Sequence, residues 1–127
     1  MNGNDEHKQE TYKSMISISV EGMKTLVLLN GGAIIALLGF LGQVANRGQQ
    51  APKAFCPLGI FVAGLVFGCI CFFTSYSTQF TLFNEATGNK EPRSHMAWFS
   101  ATLIFAILSL ASFAIGGFLS LGIFSGG

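Results

Sequence analysis

Three cysteines, two histidines, a row of threonines and one asparagine inside an uncharged stretch are the residues of this 127-residue sequence whose types could do chemistry. Cys56, Cys69 and Cys71 form no C-x-x-C, and Cys69 and Cys71, two positions apart, point to different faces of one helix. Thiolate ligands would need further Cys or His beside them, so the three read as small apolar side chains. His7 stands among Asp5, Glu6 and Glu10, the composition of a loose metal cluster, but in so polar a segment solvation is the expectation. The same holds for His95, which flanks the third apolar run.

Asn30, in Thr25–Ala45 (TLVLLNGGAIIALLGFLGQVA), admits two uses. It can hydrogen-bond across a helix interface and set register, as a buried Asn does in a coiled coil. Alternatively, Asn30-Gly31-Gly32 is a local unwinding that turns carbonyls toward an ion or solute. Thr74, Thr78, Thr81 and Glu85 share a face of the second run, with Ser75 and Gln79 beside them. Together with Asn30, the residues Thr74, Thr78, Gln79 and Thr81 are a candidate polar lining of a wet vestibule. The other reading is a helix that leaves the bilayer here and becomes wet. No Ser/His/Asp grouping, phosphate-cradling glycine loop or intramembrane carboxylate pair occurs. The sequence therefore predicts no catalytic residue, no cofactor and no metal, and the lack of ionisable residues within the spans disfavours proton-coupled transport.

The elements that must position these groups follow from charge distribution. Half of the residues are hydrophobic and 10% are charged, against about 25% in soluble domains. The charges sit in the first 24 residues and in two connectors, leaving three uncharged runs: about 25–45, 55–80 and 97–122. Each run is long enough, at 1.5 Å per residue, to cross a hydrocarbon core of about 30 Å. With no water to bond their amides, such runs must be helices rather than strands. A soluble bundle would need polar outer faces, and these runs have none. The expected fold is an all-α membrane protein: three transmembrane helices (residues 25–127) preceded by a polar tail and an amphipathic cytoplasmic helix (residues 1–24). No basic cluster exists to neutralise phosphates, which excludes nucleic acid. The polar residues ahead of the first run make it a retained signal anchor rather than a cleaved peptide.

Residues 1–10 show no apolar period and should fray. From Tyr12 the spacing changes. Tyr12, Ile16, Ser19, Met23 and Leu26 recur at steps of four and three, and the register continues through Asn30, Ala33, Leu37, Phe40 and Val44. One straight helix from Thr11 to Ala45 with a single seam satisfies this pattern; so does an interfacial helix that turns at Asn30-Gly31-Gly32. Gly48 and Pro52 mark a short connector that makes the first two helices a hairpin, Pro57 falls in the first turn of the second, and Gly88 and Pro92 mark an aqueous loop. Tyr76 and Trp98 are placed as interface anchors at one level. Lys8, Lys13, Lys24, Lys90 and Arg93 lie on one side and Arg47 and Lys53 on the other, which predicts a cytoplasmic N-terminus and a periplasmic C-terminus.

Sixteen glycines in so short a chain point to close helix contact in lipid. Gly64-x-x-x-Gly68 and the series Ser112, Gly116, Ser120 repeat every four residues, and Gly31-Gly32 and Gly116-Gly117 add notches. Because three helices have few mutual faces, this abundance favours a homo-oligomer.

At residues 28–42, LLNGGAIIALLGFLG, preceded by Tyr12-Lys13-Ser14 and Lys24, the chain resembles a group of small bacterial inner-membrane proteins with an Asn-Gly-Gly-Ala-rich first span. Ile34-Ile35 replace the plainer Ala-Val pair of that pattern. The resemblance covers the first span and the three-span layout, implies a bacterial cytoplasmic membrane, and brings no activity or site residues. The expected function is a homo-oligomeric pore-forming or membrane-perturbing component of the phage or defence effector type. The alternative is a non-catalytic accessory or sensor subunit that recruits a cytoplasmic or membrane partner through residues Tyr12 to Lys24. In either case the partners are the lipid bilayer and further copies of the chain.

Overall fold

A computed structural model describes residues 3–89 and 93–125. Lys90 and Pro92, which entered the charge count and the loop assignment, lie outside the described residues. The chain forms three helices, α1 (Gly3–Asn46), α2 (Phe55–Ala86) and α3 (His95–Ser125), each long and apolar enough to cross a membrane.

Helix α1 is uninterrupted over 44 residues, about 66 Å of rise. This settles the open choice at Asn30-Gly31-Gly32 in favour of one continuous helix: the two glycines keep helical bonding. Of residues 1–10, expected to fray, residues 3–10 are helical and residues 1–2 lie outside the described residues. Propagation from an existing helix needs no new nucleus, and Asp5 and Glu6 in the first turn suit the positive end of the helix dipole. Residue 25, the expected domain boundary, lies mid-helix.

Both helix ends that enter described turns use the same device. Gly48 (φ +67°) and Gly88 (φ +77°) adopt the left-handed conformation that closes a helix C-terminus. The amides that follow reach back five residues: Gln49 N to Val44 O at 3.3 Å, and Asn89 N to Asn84 O at 2.9 Å. The glycine amides bond Ala45 O and Glu85 O. These are Schellman caps, and they satisfy carbonyls that would otherwise be orphaned.

The buried positions of α2 run Pro57, Phe61, Gly64, Gly68, Cys71, Thr74, Thr78, Thr81, a three-four spacing that defines one face. On α3 the buried residues are Ser109, Ser112, Gly116 and Ser120; on α1 they are Met23, Asn30 and Leu37, seven apart. The seam predicted on α1 is thus the face it packs inward. Contacts fix the directions: Val27 meets Gly68, Asn30 meets Gly64, and Phe61 lies against Gly116, so each helix runs antiparallel to the next. Small and hydroxyl side chains fill the interior, while Ile18, Phe55, Phe73 and Phe118 point outward. That is the inverse of a water-soluble bundle and suits lipid as solvent.

Candidate functional site

The most connected polar cluster lies where all three helices meet. Asn30, fully buried, directs its Nδ2 to Leu26 O one turn back (3.0 Å) and to both the carbonyl (3.3 Å) and hydroxyl (3.2 Å) oxygens of Ser109. Ser109 Oγ in turn donates to Gly64 O at 2.7 Å. The route α1 amide, α3 hydroxyl, α2 carbonyl therefore ties α1 to α3 and α3 to α2 directly, and α1 to α2 by way of Ser109. Gly64 permits this approach, because a β-carbon there would stand 2.7 Å from Asn30 Cγ and 2.9 Å from Ser112 Cβ. Asn30 Oδ1 is the buried side-chain oxygen or nitrogen without a partner among the described residues. It lies against Gly64, where a β-carbon would overlap it. Of the two uses open to Asn30, the interhelical bond is the one found.

The predicted packing residues separate into two groups. Gly64, Gly68, Ser112, Gly116 and Ser120 are buried between helices of one chain. Gly68 receives Val27 Cγ2 at 3.1 Å and Gly116 receives the Phe61 ring at 2.8–3.0 Å, both measured to the β-carbon each lacks. Gly31 is half-buried beside Leu65, whereas Gly32 and Gly117 meet nothing within 4 Å.

The candidate lining residues are likewise divided. Thr74, Thr78 and Thr81 are 5%, 6% and 2% exposed, so in a single chain they face neighbouring helices. Thr74 Oγ1 bonds back to Ile70 O and Cys71 O and accepts from Thr102 Oγ1 at 2.9 Å. Thr78 Oγ1 donates to Thr74 O. Gln79 is exposed, and its Oε1 accepts from Tyr12 Oη at 3.1 Å, joining the N-terminal part of α1 to α2. Cys71 is fully buried with Sγ 3.5 Å from Thr102 O, while Cys56 and Cys69 are exposed, as the i and i+2 spacing required.

A second cluster was not legible in the sequence. Glu85, beyond the second span, accepts from the His95 amide and the Ser94 hydroxyl at 2.8 Å each, and its Oε2 lies 2.8 Å from His95 Nδ1. The solvated state expected for His95 is corrected: its side chain is 24% exposed. A carboxylate from the end of α2 thereby caps the start of α3, matching the dipole there. Desolvation pulls the Glu85 pKa upward, but the hydrogen bonds from the His95 amide, the Ser94 hydroxyl and the His95 ring, with that ring's charge, outweigh it and hold the carboxyl at about 2. The signal was available as a carboxylate and a helix-starting Ser-His pair ten residues apart, but loop closure cannot be read from spacing.

Between the N-terminal half of α1, the C-terminal half of α2 and the N-terminal half of α3 lies an open, mainly apolar groove of about 890 Å³. Tyr12, Met15, Met23, Tyr76, Phe99 and Leu103 are among its walls. Among the described residues no group of three or more His, Cys, Asp or Glu is placed to hold a metal ion.

The chain matches no protein-family model, no curated protein and no solved structure.

Proposed function

We propose that this chain is a non-catalytic, homo-oligomeric membrane subunit whose N-terminal half of α1 is a rigid arm that holds a cytoplasmic or membrane protein partner. The carrying observation is the continuity of α1 from Gly3 to Asn46. The arm, with Asp5, Glu6, Lys8, Glu10 and Lys13 all exposed, is not a separate domain on a linker but an extension of the spanning helix. Displacing a bound partner would then move the span itself. The apolar face of the arm turns inward, with Ile16 and Val20 half-buried and Met23 buried, which leaves its charged faces for the partner. The membrane is a bacterial cytoplasmic one, with the arm in the cytoplasm, on the strength of the resemblance in the first span and the bias of lysine and arginine.

The test is photo-crosslinking from positions 6 and 8 of the full chain in native membranes. The reading requires a discrete protein adduct that disappears when Gly22→Pro interrupts the arm while insertion persists. Absence of any adduct from both positions removes it.

One observation favours a second reading, a pore or membrane-perturbing assembly. Gly32, Ala36, Gly39 and Gln43 form an exposed stripe of α1 at steps of four, three and four, opposite the Asn30 seam. Since Thr74, Thr78 and Thr81 are enclosed within one chain, a conducting path would run between copies along that stripe. Induced expression would then collapse the membrane potential, and Gln43→Leu would restore it; an undisturbed potential at full expression excludes a pore.

A further inference from the structure

From the depth of the groove we infer that it is the seat of a second copy of this chain, entered by the Ile18 face of the neighbour's α1. This rests on the homo-oligomer in the proposed function and adds where the copies meet.

The bilayer can be located from α1 alone. Lys24 and Arg47 bound 22 uncharged residues, about 33 Å of helix, which fits a hydrocarbon core of about 30 Å. The exposed Glu21–Lys24 pair, 3.6 Å apart, marks the edge on the arm side. Helix contacts carry that level across the bundle. Val27 packs on Gly68, and antiparallel stepping from there sets Lys24 beside Cys71 and Glu21 beside Thr74; Thr74 bonds Thr102. This edge shortens the expected spans of 55–80 and 97–122 on the arm side: beyond it α2 continues for about three turns to Leu82 and α3 for two turns to His95, and α1 for more than three to Tyr12.

Most of the groove lies past that edge. Tyr12, Met15, Ile16 and Val20 of α1, Phe72, Tyr76 and Leu82 of α2, and Met96 and Phe99 of α3 all belong to it. Lipid chains end at the boundary, so they cannot cover an apolar groove that stands outside it, and water covers it at a cost of about 25 cal/mol per Å². Protein must fill it. In an assembly whose axis is normal to the membrane every residue keeps its depth in every copy. The neighbour can therefore offer only its own residues of the same level. Ile18, 72% exposed, is at that level, does not line its own groove, and projects from α1 outside the hydrocarbon, where neither lipid nor its own chain shields it. Glu10 and Lys13, like Glu21 and Lys24, lie one turn apart, so adjacent arms meet with both signs of charge near each depth.

The experiment replaces Phe99, a half-exposed groove residue, with benzoylphenylalanine in the full chain, in membranes containing two differently tagged versions. Irradiation is expected to give a covalent dimer carrying both tags, and Ile18→Lys, a change at an exposed site outside the lipid, is expected to lower its yield about fivefold or more. A phospholipid adduct, an adduct with a different protein, or no adduct overturns the inference, and so does a dimer yield unaffected by Ile18→Lys. Native mass spectrometry of the same samples separates the two levels: an oligomer without the Phe99 dimer sinks this seat alone, whereas a monomer sinks the homo-oligomer with it.

Discussion

Asn30 and Ser109 stand 79 residues apart in the chain, yet the amide of one reaches both oxygens of the other, at 3.2 and 3.3 Å. The hydroxyl of Ser109 is at the same time a donor to Gly64 O. One serine thus joins three helices, and it can do so because Gly64 has no side chain. Interhelical bonds in membranes average about 0.6 kcal/mol, with an upper end near 1.7.

Asn30→Leu keeps the number and branching of the side-chain heavy atoms, in a bulkier form, and removes the donor. It should destabilise the bundle by about 1 kcal/mol, toward the upper half of the membrane range because Ser109 O loses its side-chain partner, with the loss reduced by the disappearance of the unpartnered Oδ1. Unfolding of the detergent-solubilised chain in a denaturing-detergent titration measures it. An unchanged midpoint would show that the contact contributes nothing.

Glycine substitutions should sort by what a methyl group meets. Gly64→Ala collides with Asn30 and Ser112, and Gly116→Ala with the Phe61 ring, so each should cost about 1–3 kcal/mol. Gly32→Ala meets nothing within 4 Å and gains helix propensity, so it should leave the fold of one chain intact or stabilise it by a few tenths. The same titration ranks the three. Equal effects at Gly64 and Gly32 would mean that the interior is packed differently.

The Glu85 cap predicts a pH dependence with a definite sign. The carboxyl has an ordinary value of 4.5 and is held at about 2 in the fold. A depressed carboxylate binds fewer protons folded than unfolded, so its contribution is complete above pH 4.5 and fades as pH falls toward 2. Glu85→Gln should flatten stability across that window and fray the start of α3. Circular dichroism melts across the window, for both chains, check this; parallel curves for the two would contradict it.

How much of this was legible in the sequence depended on which face a residue's neighbours could define. The seam from Met23 to Leu37 stood out because Glu21 and Lys24 mark the opposite face of α1, which is also why the register survived through the uncharged span. In α3 no charge marks a face, and Ser109 is one small residue among many; only the position of Gly64 in the fold distinguishes it. The stripe Thr74, Thr78, Thr81 was correctly placed on one face of α2, but whether that face meets water or α3 is decided by Thr102, a helix away. Residues 3–10 carry no apolar period, and their helix is read only as the continuation of the anchored one that follows.

The central claim is that α1, α2 and α3 each cross the bilayer, so that the two connectors lie on opposite sides. The direct measurement is thiol labelling of Gln50→Cys and Thr87→Cys in a chain whose own cysteines are replaced, with a membrane-impermeant maleimide applied to intact cells and to inverted vesicles. The account predicts that Gln50→Cys is labelled in intact cells only and Thr87→Cys in inverted vesicles only. Labelling of both from the same side, or release of the chain from membranes by alkaline carbonate, would contradict it.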